Sequence, residues 1–137
     1  MPFVLGDEGI NYEEVPPLEM EGKEYAGVKI SYEEGIGDSP KDEYIVYFDP
    51  ETGVMSWLAY TVTYGKQEKS DSWSYIKYSK WSPVNGSTLP KGPTWYNVEE
   101  GKPTLPKREM LFENVTIAPD QLDAATFAKP EGAVVSE

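Results

Sequence analysis

Residues 43–64, EYIVYFDPETGVMSWLAYTVTY, constrain the fold more than any other part of the chain. Two runs rich in β-branched and aromatic residues, 44–48 and 54–64, flank the sequence Asp-Pro-Glu-Thr-Gly. Aspartate accepts hydrogen bonds from a turn backbone, proline presets φ, and glycine adopts the left-handed conformation that a reversal needs. Both runs have the composition of a pleated, half-buried surface. This segment therefore predicts a long antiparallel hairpin.

Pairing Asp49 with Val54 assigns the side chains of this hairpin to two faces, because successive residues of a strand point in opposite directions. One face carries Tyr44, Val46, Phe48, Met55, Trp57 and Ala59, and the other carries Ile45, Tyr47, Leu58, Tyr60 and Val62. Two interpretations remain open, since both faces are apolar. The hairpin is either a central one covered on both sides, which is the commoner arrangement, or part of a sheet whose concave face lines an apolar cavity. The residues predicted to line such a cavity are Tyr44, Val46, Phe48, Met55, Trp57, Trp73 and Tyr75.

The rest of the chain predicts further short strands joined by turns, which makes an antiparallel meander the simplest topology. Strands are predicted over residues 18–21, 24–33, 72–81, 94–99 and 108–117, with a bulge at Ala26-Gly27. Asn85-Gly86 is typical of a tight turn, and a longer turn is predicted over residues 100–106. We expect one mainly β domain over residues 1–137 with at most a short helix.

Both ends of the chain are predicted to lie outside the regular sheet. Residues 1–17 contain three prolines and two glycines, which predicts an irregular lead-in with at most one edge pairing. Residues 118–137 are predicted to form a C-terminal tail. In that tail Asp120 is expected to cap a helical turn over residues 121–123, and Phe127 to plug the end of the sheet.

Composition excludes several classes of function. The net charge of −12 comes from 24 acidic and 12 basic residues, and such a surface repels nucleic acids and anionic membranes. No apolar run is long enough for a transmembrane helix, and residues 1–8 lack the basic and apolar regions of a signal peptide. The chain has no cysteine and therefore no disulfide or thiol chemistry.

The sequence predicts a noncatalytic protein without a metal or cofactor. The absence of histidine and cysteine removes the commonest general base and thiol nucleophile. Glu43, Asp49 and Glu51 are expected at strand ends or turns, where a solvated carboxylate keeps a low pKa and is a poor general acid. The acidic residues of the loop over residues 33–42 lack the regular spacing of a calcium-binding loop.

Four stretches of the chain resemble a family of uncharacterised bacterial envelope proteins, which is related to the carriers of outer-membrane lipoproteins. The resemblance lies in GIGDSPKDEYIVYFDPETGVMSWLAYTVTY, IKYSKWSPVNGSTLPKGPTWY, LFENVTI and TFAKPEGA. Features shared with the carriers are the aspartate turn at Asp49, a tryptophan hairpin, a late strand and a closing phenylalanine. The residues of the last three features are Trp81, Val84, Gly86, Leu89 and Pro90, then Phe112, Asn114 and Val115, and finally Phe127.

The resemblance implies a curved antiparallel sheet, an incomplete β-barrel, whose concave face holds acyl chains. The carriers place lid helices and several strands before the region that matches, so this chain resembles their C-terminal part. The expected function is binding of a lipid, an acylated protein or another apolar ligand, in the periplasm or at the periplasmic face of the outer membrane. The alternatives are a structural or protein-interaction module with a packed core, and a carbohydrate-binding module that uses some of the four tryptophans and ten tyrosines.

The resemblance also bears on self-association. A curved sheet with an apolar concave face and no lid helix exposes more apolar surface than a monomer normally tolerates. The isolated chain is therefore expected to form a homodimer through a face or an edge of its sheet, or to bind detergent.

Overall fold

A computed structural model describes residues 8–36, 39–63 and 68–134. Within these residues the chain forms nine strands, seven of which make one open antiparallel sheet in the order β1-β2-β3-β4-β5-β8-β9. The strands are Ile10–Met20 (β1), Lys23–Tyr32 (β2), Tyr44–Phe48 (β3), Met55–Tyr60 (β4), Ser74–Ser79 (β5), Ser82–Val84 (β6), Ser87–Leu89 (β7), Gly92–Glu99 (β8) and Lys102–Glu109 (β9). β6 and β7 form a separate hairpin inserted between β5 and β8. The prediction of a mainly β antiparallel meander with at most a short helix is confirmed.

Two-residue turns with positive φ at both positions join three of the hairpins. Glu21-Gly22, Asn85-Gly86 and Glu100-Gly101 have this geometry, whose twist matches that of the flanking strands. The tight turn at Asn85-Gly86 is confirmed. The longer turn predicted over residues 100–106 is wrong, because the chain reverses at Glu100-Gly101 and enters β9 at once. The last long strand accordingly ends at Glu109 and does not continue to residue 117.

The edge pairing that the prediction for residues 1–17 allowed is confirmed from Ile10 onward, whereas the irregular backbone predicted there is wrong; residues 1–7 lie outside the described part. β1 runs from Ile10 to Met20 through Pro16 and Pro17. The two prolines are tolerated because β1 is an edge strand and because its register shifts between Val15 and Leu18 at this point. The bulge is thus on β1 and not on β2 as predicted.

The predicted bulge residue Gly27 has a different role, which is to let side chains from two strands meet above its backbone. A Cβ atom on Gly27 would lie 2.6 Å from the ring of Tyr47 and 2.8 Å from Val15. Only glycine accommodates these two side chains, because real Cβ contacts are not this short. Gly27 therefore allows the ring of Tyr47 to approach the backbone of β2 closely.

The central hairpin forms with the predicted turn but with a bulge that changes its faces. The N–H of Asp49 donates to the carbonyl of Val54 over 2.9 Å, which confirms the predicted pairing. The register then shifts, so that Trp57 and not Ser56 lies opposite Tyr47. One extra residue reverses the alternation of all that follow, and the predicted faces are therefore wrong from Trp57 onward.

The sheet has two apolar faces, which we name the inner and outer face. The inner face contains the buried residues Leu18, Tyr25, Ile45, Tyr47, Trp57, Ala59 and Tyr75. The outer face contains the buried residues Ile30, Val46 and Leu58, with Ile10, Tyr32, Tyr44, Phe48, Met55, Tyr60 and Tyr78 packed around them.

Two long-range contacts show that the sheet curves around the inner face. Lys77 Nζ on β5 lies 2.5 Å from Glu21 Oε2 in the β1–β2 turn, although in a flat sheet β2 and β5 would lie about 14 Å apart. The hydroxyl of Tyr75 on β5 donates to the carbonyl of Gly101 at the tip of the β8–β9 hairpin over 2.9 Å. Hairpins from both sides of the sheet therefore fold toward the inner face, which is concave.

The segment after β9 differs from its prediction in two respects. Its 3₁₀ helix spans Ala124–Phe127 and is capped by Asp123, whose carboxylate accepts from the N–H of Ala125 over 2.8 Å. The predicted cap at Asp120 is therefore wrong. Phe127 is 74% exposed and does not plug the end of the sheet.

Candidate functional site

The seven residues predicted to line one apolar cavity are divided between the two faces of the sheet. Tyr44, Val46, Phe48 and Met55 belong to the outer face, whereas Trp57, Trp73 and Tyr75 belong to the inner face. The bulge in β4 causes this separation, because it moves Trp57 away from Met55. The predicted lining set is therefore wrong as a single surface.

The centre of the inner face is packed with its own side chains. Trp57 is 0% exposed and meets the rings of Tyr25 and Tyr96 edge to face, at centroid distances of 6.4 and 4.7 Å. Lys77 Nζ lies 5.4 Å from the centroid of the Trp57 ring and covers it further. Burial also raises the pKa of Tyr47 to about 12, so its hydroxyl stays neutral. This centre is a core and not an open binding surface.

An open cavity of about 580 Å³ lies at the margin of the sheet, between the start of β5 and the β8–β9 hairpin. Its lining consists of Trp73, Ser74, Trp95, Tyr96, Asn97, Val98, Glu99, Lys107 and Arg108. A smaller depression of about 310 Å³ shares Tyr96, Lys107 and Arg108 with it. We name the cavity lined by Trp73, Trp95, Tyr96, Lys107 and Arg108 the aromatic cleft. Of the seven predicted residues, Trp73 alone lines it.

Three segments position the side chains of the aromatic cleft. Trp73 directly precedes β5, Trp95 and Tyr96 lie on β8, and Lys107 and Arg108 lie on β9. The pairing of β8 with β9 shifts register on both sides of Tyr96. Such irregularities re-aim side chains, which explains how neighbours in sequence line the same cavity.

The ring of Trp95 forms a fixed wall of the aromatic cleft. Its indole N–H donates to the hydroxyl of Tyr60 over 3.2 Å. Arg108 lies directly opposite Trp95 in the strand pairing, and its guanidinium carbon is 5.0 Å from the indole centroid. A guanidinium over an indole face is attracted by the ring electrons, so the two side chains hold each other in place.

Arg108 and Lys107 make no ion pair with any carboxylate of the described residues. Five lysines do pair with carboxylates, namely Lys23, Lys29, Lys69, Lys77 and Lys80. Arg108 Nη2 donates only to Met110 Sδ, over 3.0 Å, and thioether sulfur is a weak acceptor. The aromatic cleft therefore carries two positive charges that form no ion pair with the described residues.

Sequence reasoning missed Trp95, Tyr96, Lys107 and Arg108 as site residues. A signal was present, because Arg108 is the only arginine of a strongly acidic chain and follows a lysine directly. The prediction of a strand starting at residue 108 missed the pairing of Arg108 with Trp95 and the register shift that places Lys107 beside it.

Glu43 is buried, contrary to the expectation that it is solvated. It is 8% exposed, and its Oε1 atom lies 3.1 Å from Lys29 Nζ and 2.9 Å from Lys69 Nζ. Burial by itself raises the pKa of Glu43, but hydrogen bonds from Lys69 and Lys29 and the charges of both lysines outweigh it. The pKa therefore lies below its ordinary value of 4.5. A carboxylate held in its ionised form is a structural ion-pair partner and a poor proton donor.

The other acidic residues singled out in the sequence also have structural partners. Asp49 accepts hydrogen bonds from the backbone of its own turn and from Lys23, and these lower its pKa. Asp42 accepts from both the N–H and the hydroxyl of Thr63, over 2.6 and 2.7 Å. Among the described residues no cluster of acidic side chains is suited to hold a metal ion, and Asp38 of the acidic loop lies outside them. In the part of the chain that the structure covers, a membrane-crossing helix is also absent.

A second concave surface, which we name the apolar groove, has a volume of about 380 Å³. It is lined by Ser82, Val84, Leu89, Pro90, Lys91, Leu111, Phe112, Glu113 and Val115. The N–H of Phe112 donates to the carbonyl of Lys91 over 2.8 Å, and the Asn85 amide donates to the carbonyl of Ile117 over 2.6 Å. These bonds hold the segment after β9 beside the β6–β7 hairpin.

Comparison with known proteins identifies one family. A model for a family of unknown function, DUF6503, matches residues 1–109. No curated protein and no solved structure is significantly similar to the chain. The matched part contains all seven strands of the sheet and the complete aromatic cleft. Because it covers most of the 137 residues, the chain belongs to the family of unknown function DUF6503.

Proposed function

We propose that this protein is a noncatalytic binding module that holds the apolar part of a small ligand, such as an acyl chain, in the aromatic cleft. The observation that carries the proposal is the open cavity of about 580 Å³ lined by Trp73, Trp95 and Tyr96. Ligand sites are usually cavities of about 300–1,000 Å³ with aromatic walls and a few polar groups. The resemblance to lipoprotein carriers supports the same class of ligand and an envelope location.

The cleft suits a ligand better than the concave face that the resemblance suggests. At the centre of that face Trp57 is 0% exposed and Tyr75 is 6% exposed, so an acyl chain finds no free surface there. The aromatic residues of the cleft are instead half-buried, so that neighbouring residues support each ring while part of it stays accessible to a ligand. These residues are Trp73, Trp95 and Tyr96. Aromatic rings of this kind contribute large apolar area to binding.

Truncating the tryptophans of the cleft is expected to weaken binding. Each of the variants Trp73→Ala and Trp95→Ala should bind a fluorescent fatty acid about tenfold more weakly, because burying a large apolar side chain contributes about 1.5–3 kcal/mol. Fluorescence titration of delipidated protein measures this affinity, and circular dichroism checks that the sheet is intact. The matched control is Phe127→Ala, which removes an exposed ring far along the chain from the cleft. Absence of saturable binding to the unmodified protein, or equal affinities for all variants, would contradict the proposal.

A second candidate function, a protein-interaction module, is favoured by the apolar groove. Leu111, Phe112 and Val115 in its wall are 56%, 52% and 41% exposed. Clustered apolar side chains with this exposure are typical of surfaces that bind another protein. The candidate partner is a second copy, because Leu122 and Phe127 are also exposed and provide side chains that the groove of another chain can bury.

This candidate predicts concentration-dependent self-association. Light scattering at micromolar concentration should show a mass near twice 15.4 kDa. The variant Phe112→Ser should dissociate at protein concentrations about tenfold higher than the unmodified chain, since it replaces a ring by a polar group. Val134→Ser, at a position 92% exposed, is the control and should leave the mass unchanged. A monomer that binds no hydrophobic dye would exclude this candidate.

The carbohydrate-binding alternative stays a prediction. The ring pairs Tyr25–Trp57, Tyr32–Tyr44 and Trp57–Tyr96 meet edge to face, at 74°, 88° and 64°. None of these pairs provides the flat two-ring platform that stacking on a sugar needs. Binding to a glycan array would support the carbohydrate-binding alternative.

A further inference from the structure

We infer that the ligand of the aromatic cleft is an amphiphile with one anionic group, a carboxylate, which Arg108 and Lys107 bind. This inference rests on the proposed function and extends it from an apolar ligand to a specific chemical class. Two observations carry it, the two cations of the cleft that form no ion pair with the described residues and the fixed position of the guanidinium group.

The charges of Arg108 and Lys107 stand out because acidic residues outnumber basic ones by 24 to 12. Five lysines pair with a carboxylate, among them Lys77 with Glu21 and Lys80 with Glu109. Arg108 and Lys107 line the same cavity without such a partner among the described residues. Their combined charge favours an anion at this position.

Arg108 is held ready for bidentate binding. Its guanidinium carbon lies 5.0 Å from the centroid of the Trp95 ring, and Trp95 is in turn fixed by its hydrogen bond to Tyr60. The contact with the ring engages none of the N–H donors of the guanidinium in a hydrogen bond, and of these groups Nη2 alone donates to a described residue, the sulfur of Met110. A carboxylate can accept two parallel N–H bonds from the guanidinium, and it is a much stronger acceptor than the sulfur of Met110.

The charged side chains along β8 and β9 differ in sign along the length of the cleft. Glu99 also lines the cavity, but it lies four residues beyond Trp95, or about 13 Å along the strand. Lys102 lies directly opposite Glu99 in the strand pairing. An anionic group is therefore favoured near Arg108 and disfavoured near Glu99, while Trp73 and Tyr96 contact the apolar part.

The test compares three ligands with the same ten-carbon chain and different charge. Decanoate, 1-decanol and decyltrimethylammonium compete with a bound fluorescent fatty acid for the 137-residue chain. We expect decanoate to bind about tenfold more tightly than 1-decanol, because hydrogen bonds to a charged group contribute about 1.5–3 kcal/mol. Decyltrimethylammonium should bind more weakly than 1-decanol.

Variants of Arg108 and Lys107 test which side chain causes the preference for decanoate. Arg108→Gln should remove the tenfold preference for decanoate, because it should weaken decanoate binding about tenfold more than it weakens 1-decanol binding. Lys107→Gln should reduce the preference partly, and added salt should weaken decanoate binding alone. The control is Lys129→Gln, an exposed lysine in the tail, which should keep the full preference.

The outcomes separate this inference from the function on which it rests. If 1-decanol competes as well as decanoate, the anion site is refuted and the apolar binding function stands. If Arg108→Gln weakens decanoate and 1-decanol equally, Arg108 only shapes the cleft and the inference fails. If the protein binds neither the probe nor any competitor, both proposals fail.

Discussion

Replacing Trp57 by alanine is expected to lower the free energy of unfolding by about 3–5 kcal/mol, the usual cost of truncating a buried tryptophan. Trp57 is 0% exposed and contacts Tyr25 and Tyr96, which belong to strands on opposite sides of it. Loss of the indole leaves a cavity in the packed centre of the inner face. Denaturant unfolding followed by circular dichroism measures the change.

Two further variants provide stability changes with which the loss in Trp57→Ala can be compared. Trp57→Phe should cost less than the alanine variant, because it retains a ring and removes an indole N–H that is buried without a hydrogen-bond partner among the described residues. Phe127→Ala, at a position 74% exposed, should change stability by less than about 0.5 kcal/mol. Equal losses in Trp57→Ala and Phe127→Ala would show that the inner face is not the core of the fold.

Replacing Glu43 by alanine is expected to cost about 2–3 kcal/mol of stability. Its carboxylate is the shared partner of Lys29 and Lys69, and its removal leaves the partly buried Lys29 without an opposite charge. Breaking a buried ion pair costs about 3–5 kcal/mol. The value here is smaller, since the side chain of Lys69 is 62% exposed and can be hydrated.

The contribution of Glu43 is also expected to depend on pH. Because its pKa in the folded state lies below the ordinary value of 4.5, the unfolded chain takes up the proton first as the pH falls. The stabilisation is therefore fully present above about pH 5 and is lost as the pH falls through the folded-state pKa. Unfolding measured at several pH values should show the difference between the unmodified protein and Glu43→Gln shrinking below pH 4.5.

Glu34→Gln serves as the control for this pH dependence. Glu34 is an exposed residue of the loop after β2 and makes no ion pair with another described residue. Its replacement should leave both stability and its pH dependence nearly unchanged. A difference between the unmodified protein and Glu43→Gln that stays constant across the acidic range would contradict the role assigned to this ion pair.

The proposed site also connects to the fold through Trp57. Tyr96 contacts Trp57 and lines the aromatic cleft as well, so the packed core supports one wall of the cleft. Tyr60 supports a second wall through its hydrogen bond from Trp95. A ligand in the cleft would therefore rest on side chains whose positions are set by the core, which limits the entropy lost on binding.

Features that depend on a few neighbouring residues were predictable from the sequence. The turn after Asp49 formed as expected, because the carboxylate of Asp49 accepts from the N–H groups of Glu51 and Thr52 within the same turn. Asn85-Gly86 formed its tight turn for an equally local reason, since both residues tolerate positive φ. The alternating β-branched and aromatic runs likewise indicated strands before their partners were known.

Features that depend on a facing strand were not predictable. The bulge in β4 is defined by the pairing of Trp57 with Tyr47, and nothing near Trp57 in the sequence indicates it. Pro16 and Pro17 suggested an irregular segment, but they lie on an edge strand at a register shift, where missing N–H groups are tolerated. Both predictions were wrong because the sequence of one strand does not show how that strand pairs with its neighbour.

The sequence by itself determined that this chain forms a mainly β antiparallel meander, because backbone preference and side-chain alternation are properties of short segments. Only the tertiary structure decided which side chains share a surface. The contact of Lys77 with Glu21 joins residues 56 positions apart, and Trp95 reaches Tyr60 across 35 positions. Whether Arg108 keeps a free charge depends on which carboxylates the folded sheet brings near it. The aromatic cleft is therefore a product of curvature and register, which come from contacts between distant strands.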